Sequence, residues 1–153
     1  MVYFEDLVEG RVDRFGDKLV LREEVIDFAS KYDPQPFHLS DEAAAKTHFG
    51  RLAASGWHSA CMAMRMLVDF YNETGWQGLG GGGVDEMRLL RPVYPGDRLR
   101  CEAEVHSLAR SRSKPDRGRF TGQLRMFNQD DVLVMRFNWS AMIRVREPLE
   151  SSS

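Results

Sequence analysis

The sequence predicts an α+β fold in which an antiparallel sheet wraps around one long central helix. Three observations predict it. Helical periodicity is confined to the first half of the chain, period-two alternation fills the second half, and one long helix is apolar around most of its circumference. Helices and strands segregated in this way indicate α+β rather than repeated βαβ units. The chain has 153 residues, the length of one ordinary domain. A single domain is expected over residues 1–148, with 149–153 as a disordered tail ending in Ser151-Ser152-Ser153.

Each element follows from local chemistry. After a short strand region near the N-terminus, Val25, Phe28, Ala29 and Tyr32 stand at i, i+3, i+4 and i+7, which predicts an amphipathic helix over residues 22–32. Pro34 and Pro36 push the residues before them toward extended geometry, so 33–38 reads as a rigid extended loop. Ser40 is a good N-cap for a short helix through Asp41 and Ala45. Ser55 and Gly56 open a longer helix over 56–74. Its apolar residues, among them Trp57, Cys61, Met62, Met64, Met66, Val68 and Phe70, leave no wide polar face, so this helix is expected to be buried.

Alternation then marks strands in Leu99–Ser107, Phe120–Met126 and Met135–Val145, with a shorter, weaker strand near Val84–Leu90. Pro95-Gly96-Asp97 and Asn128–Asp131 are turns, and Gly78–Gly83 and Ser111–Gly118 read as flexible connections. A buried helix in this setting needs a curved sheet around it, the arrangement of the hotdog fold.

Composition narrows the function. Hydrophobic residues make up 42% and charged residues 29%, and the formal net charge is −2. That balance speaks against nucleic-acid and anionic-membrane partners. Cys61 and Cys101 form no CxxC, so neither a redox motif nor a zinc knuckle is visible, and two reduced thiols in the cytoplasm are expected. The N-terminus has no basic region followed by an apolar run, and no apolar stretch is long enough to span a bilayer. His38, His48 and His58 stand ten apart but form no HxH or HxxxH pair, so no metal is expected. The Gly80–Gly83 run lacks the Lys-Ser/Thr of a phosphate loop. Ser59, His58 and Asp33 do not form a triad around a GxSxG elbow.

The chemically informative segment is Asp33-Pro34-Gln35-Pro36-Phe37-His38. An acid and an imidazole sit five residues apart on a stretch stiffened by two prolines. Hydrating a double bond conjugated to a thioester needs a base for water and an acid for the α-carbon. A carboxylate and an imidazole sharing one water supply both. On spacing alone, Asp33 could equally end a helix and His38 sit satisfied in a loop. Gly56 lies in the first turn of the long helix, where N–H groups lack internal partners and the helix end is partially positive. An N–H there suits an enolate oxygen, although Gly56 could also be only a tight helix start capped by Ser55.

Read together with Ala44, Phe49-Gly50-Arg51, Ser55-Gly56 and Arg91-Pro92-Val93-Tyr94-Pro95-Gly96-Asp97, this segment resembles the MaoC-like group of (R)-specific enoyl-CoA hydratases and acyl dehydratases. The resemblance covers about residues 25–100, and His38 and Gly56 keep the group's spacing of eighteen residues. It implies Asp33, His38 and Gly56 as catalytic, with Gly56 as the oxyanion donor. Phe37, Ser55, Trp57, His58 and Gly83 are expected to bind substrate. It further implies an acyl-CoA thioester substrate with no cofactor beyond coenzyme A itself, and a homodimer or dimer of dimers. Three positions depart from the group: Gln35 replaces an asparagine, Ser55 a histidine, and Met64 a serine. The basic residues Arg110, Arg112, Lys114, Arg117 and Arg119 could meet the phosphates of coenzyme A or form a solvated hairpin loop. Two other classes stay open. A hotdog thioesterase would use an acid on the long helix, where Asp69 is available, and a non-catalytic acyl-CoA-binding protein would need no acid.

Overall fold

The computed structural model describes residues 1–149; the remaining tail residues, expected to be disordered, lie outside the described residues. Strands β1 (Val12–Leu19), β2 (Gly78–Leu89), β3 (Arg98–Arg110), β4 (Arg117–Phe127) and β5 (Leu133–Arg144) form one antiparallel sheet in the order β1-β3-β4-β5-β2. Helices α1 (Arg22–Tyr32), α2 (Asp41–Ala44) and α3 (Gly56–Thr74) precede β2. The architecture is the hotdog fold.

The alternation in β3, β4 and β5 places Leu99, Cys101, Phe120, Leu124, Met126, Met135, Phe137 and Ile143 on the buried face. Against that face pack Met62, Ala63, Met66 and Leu67 of α3. Burying a side chain of this size contributes about 1.5–3 kcal/mol, so these residues anchor the helix firmly on the sheet. Gly16 of β1 permits the close approach. Its φ is +91°, a conformation that favours glycine, and a Cβ there would overlap Met66 Sδ.

Four expectations change. Residues 33–38 are not wholly extended: Pro36–His38 form one 3₁₀ turn, with Pro36 at its start, where proline is tolerated. Helix α3 is buried on one side only. Trp57, Met64 and Val68 are 64%, 44% and 40% exposed, and Cys61 is also exposed. The Gly78–Gly83 run is part of β2, not a connection, and pairs with β5 at Gly81↔Ala141 and Gly83↔Ser140. It escaped detection because β2 is an edge strand with almost no buried side chains, so no alternation develops. Finally, β3 extends to Arg110 and β4 begins at Arg117, leaving a shorter hairpin loop than expected.

Candidate active site

Asp33 closes α1. Its N–H donates to Ala29 O at 2.8 Å, and Pro34 stops the helix. The 3₁₀ turn that follows carries His38 inward until it is 5% exposed. His38 Nδ1 lies 2.7 Å from Ala53 O. A carbonyl only accepts, so Nδ1 carries the proton and Nε2 of the neutral ring keeps its lone pair. Nε2 faces Asp33 Oδ2 at 3.5 Å. That separation is long for a direct hydrogen bond, and a water beside the pair can meet both atoms.

The carboxylate is held from two sides. Gln35 Nε2 donates to Asp33 Oδ1 and Ser55 Oγ donates to Oδ2, each at 2.7 Å. Burial pushes the Asp33 carboxyl up, but the hydrogen bonds from Ser55 and Gln35, with the imidazole of His38 nearby, outweigh it, and the net shift is downward. Asp33 is therefore ionised at neutral pH. Ser55 caps α3 by accepting from Trp57 N–H at 3.3 Å. Gly56 follows as the first helical residue, with an N–H that has no partner within the helix. The Arg91–Asp97 segment braces this end of the molecule: Val93 O accepts from Ala54 N–H at 2.8 Å, and Tyr94 Oη donates to Phe49 O at 2.7 Å.

Asp33, His38, Gly56 and Trp57 line one cleft of about 560 Å³, within the usual range of small-molecule sites. Its remaining walls include His48, Phe49, Met87, Leu89 and Arg91. The other expected residues lie elsewhere. Ser55 is 0% exposed and bonds to Asp33, so it does not reach the cleft surface. Phe37 stands edge-on behind the His38 ring at 4.6 Å. His58 faces a second groove of about 660 Å³ between β1, α1 and α3, stacked on Phe28 at 4.8 Å. Gly83 sits within β2 opposite Ser140 and does not line the cleft. Met64 is not among the cleft residues either.

His58 and Ser59, adjacent in sequence, line different cavities, which separates the members of the serine triad already set aside above. Asp69 lines the second groove and pairs with Arg65 at 3.0 Å. The Arg110–Arg119 hairpin lies at the far end of the sheet. Along β5 it is near Arg144, whereas the cleft is near Val134, about 33 Å away at the rise of an extended strand. Among the described residues, no group of three or more His, Cys, Asp or Glu is placed to hold a metal ion. No helix among them is long and apolar enough to cross a membrane. Reading the sequence missed Leu89 and Met87 as walls because β2 carries no periodic signal. His48 stood in view only as a possible metal ligand, and Arg91 only as part of a turn motif.

A sheet of this order around α3, with an acid, an imidazole and a helix N-terminus converging on one cleft, defines a hotdog protein of the hydratase and dehydratase class. The chain belongs to the MaoC-like domain family, whose model matches residues 3–122. Its structure is similar to that of a MaoC-like dehydratase from Rhodospirillum rubrum, at 37% identity and TM-score 0.85, covering 97% of this chain and 100% of that one. It is also similar to the (R)-hydratase from A. caviae involved in PHA biosynthesis, at 28% identity and TM-score 0.68, covering 90% and 97%. The 3-hydroxybutyryl-CoA dehydratase of Methylorubrum extorquens AM1 is 30% identical over 118 residues, which span 74% of this chain and 70% of the relative.

Proposed function

We propose that the protein is a hydro-lyase acting on acyl-CoA thioesters, adding water to a 2-enoyl-CoA or removing it from a 3-hydroxyacyl-CoA. The observation that carries this reading is the Asp33 carboxylate facing His38 Nε2 at 3.5 Å, in the same cleft as Gly56 at the start of α3. The A. caviae and M. extorquens relatives support it.

In this reading the thioester carbonyl accepts from the Gly56 N–H, where the helix end stabilises the enolate that forms. Asp33 and His38 bind one water between them. Its oxygen adds to C3, and its proton passes to the pair and from there to C2, so no proton is gained or lost over a turnover. Asp33 already accepts a hydrogen bond on each oxygen, whereas His38 Nε2 has a free lone pair. His38 is therefore the group that carries the proton, and Asp33 orients the water and stabilises the imidazolium. Coenzyme A enters as part of the substrate. A thioesterase that used an acid of α3 would need it in the cleft with Gly56, and Asp69 of that helix lines the other groove.

A second copy of the chain completes the assembly. The exposed Trp57, Met64 and Val68 stripe of α3 and the edge strand β2, with Val84 50% and Leu89 55% exposed, suit a homodimer or a dimer of dimers. The test of function is incubation with a panel of 2-enoyl-CoA thioesters in D₂O. The reading expects loss of enoyl absorbance and a 3-hydroxyacyl product with deuterium at C2. Release of free thiol with the enoyl group intact would instead indicate a thioesterase.

A further inference from the structure

One hydroxyl joins two parts of the cleft that come from different elements. Ser55 Oγ lies 2.7 Å from Asp33 Oδ2 and 3.3 Å from the Trp57 backbone nitrogen. The Trp57 N–H can only donate, so Oγ accepts there and its own proton points to Asp33. A carboxylate oxygen accepts that proton strongly; the hydroxyl oxygen of a carboxyl group protonated on Oδ2 accepts it only weakly. Ser55 is 0% exposed, so solvent does not reach the site to replace either bond.

Asp33 lies at the end of α1 and Trp57 in the first turn of α3, beside the Gly56 N–H. We infer that Ser55 is a positioning residue, which holds the Asp33 carboxylate in register with the N-terminus of α3 so that water and thioester carbonyl are aligned by one side chain. Its role is thus distinct from substrate contact and larger than helix capping. The depressed Asp33 carboxyl agrees with it, since the Ser55 bond is the foremost of the influences that lower it. The inference rests on the hydration reading above.

The test compares Ser55→Gly and Ser55→Ala with wild type. Glycine caps a helix nearly as well as serine and alanine does not, so the glycine variant removes the hydroxyl while sparing the start of α3. Circular dichroism establishes that each variant is folded. Both variants are expected to lose about 10- to 100-fold in kcat, the factor that belongs to a hydrogen bond to a charged group. KM should change by less than about twofold, because the substrate contacts remain. The Asp33 carboxyl resonance should titrate at higher pH than in wild type when followed by NMR. A Ser55→Gly protein that is as fast as wild type, or whose Asp33 titrates as in wild type, overturns the inference. The titration needs no turnover, so it separates the two claims: a wild-type protein inert toward every enoyl thioester overturns the hydration reading, and an unmoved Asp33 overturns the role of Ser55.

Discussion

Gly56 and Leu89 touch at the wall of the cleft. A Cβ on Gly56 would overlap Leu89 Cδ1 and stand 3.2 Å from Cγ. Leu89 is 55% exposed and ends in rotatable bonds, so its side chain can move aside and Gly56→Ala should fold. The added methyl still sits beside the oxyanion N–H. Turnover should fall by about 10²–10³-fold, the loss that follows removal of one such donor. Adding Leu89→Ala removes the clash with Leu89 and leaves the obstruction of the substrate, so the double variant should stay slow. Recovery of full rate in Gly56→Ala/Leu89→Ala would leave Gly56 as a helix start only. Asp33 predicts a pH effect with a defined sign. Its folded-state value is depressed, so ionised Asp33 stabilises the fold above the ordinary carboxylate value, and that stabilisation is lost as pH falls through the folded one. Thermal melts of Asp33→Asn should therefore decline less steeply in acid than those of wild type. An identical decline would remove Asp33 as a source of acid lability. The pair itself was legible in the sequence because two prolines left few conformations between Asp33 and His38. The partners of Asp33 were not, since Ser55 lies 22 residues away and reaches it only through the fold.

At the scale of elements, α1 meets α3 through Phe28 stacked on His58. Burial pushes the His58 imidazole down, Glu24 opposes this, and Lys18 adds to it. The folded state thus prefers neutral His58, and the unfolded state binds a proton more readily. Stability is lost as pH falls from the ordinary histidine value toward the lowered one. His58→Leu should therefore lose less melting temperature than wild type between pH 8 and about pH 5. An equal loss in both would show that His58 does not link α1 to α3 in this way. Period-two alternation revealed β3, β4 and β5 because each has one face on the core. It found only the Val84–Leu90 end of β2 and missed Gly78–Gly83, because this edge strand has four consecutive glycines and little to bury. The apolar residues around α3 suggested a wholly buried helix, because apolar composition does not distinguish a face buried by the sheet from one left exposed.

In the whole molecule Trp57, Met64 and Val68 of α3 stay exposed, and the proposed dimer accounts for that apolar face. Sedimentation velocity should find a dimer or tetramer, and Met64→Glu should weaken it. A stable, fully active monomer would contradict the assembly. Asp33 and His38 act together on one water in the proposed reaction, and this pairing is the core of the chemistry. The pairing is tested most directly by a double-mutant cycle of Asp33→Asn and His38→Ala on the best enoyl-CoA substrate, with folding checked for each protein. Each single change should slow hydration by about 10²–10⁴-fold. The double variant should be little slower than the worse single one, because both residues act on the same water. Near-wild-type hydration in either folded single variant would contradict the account.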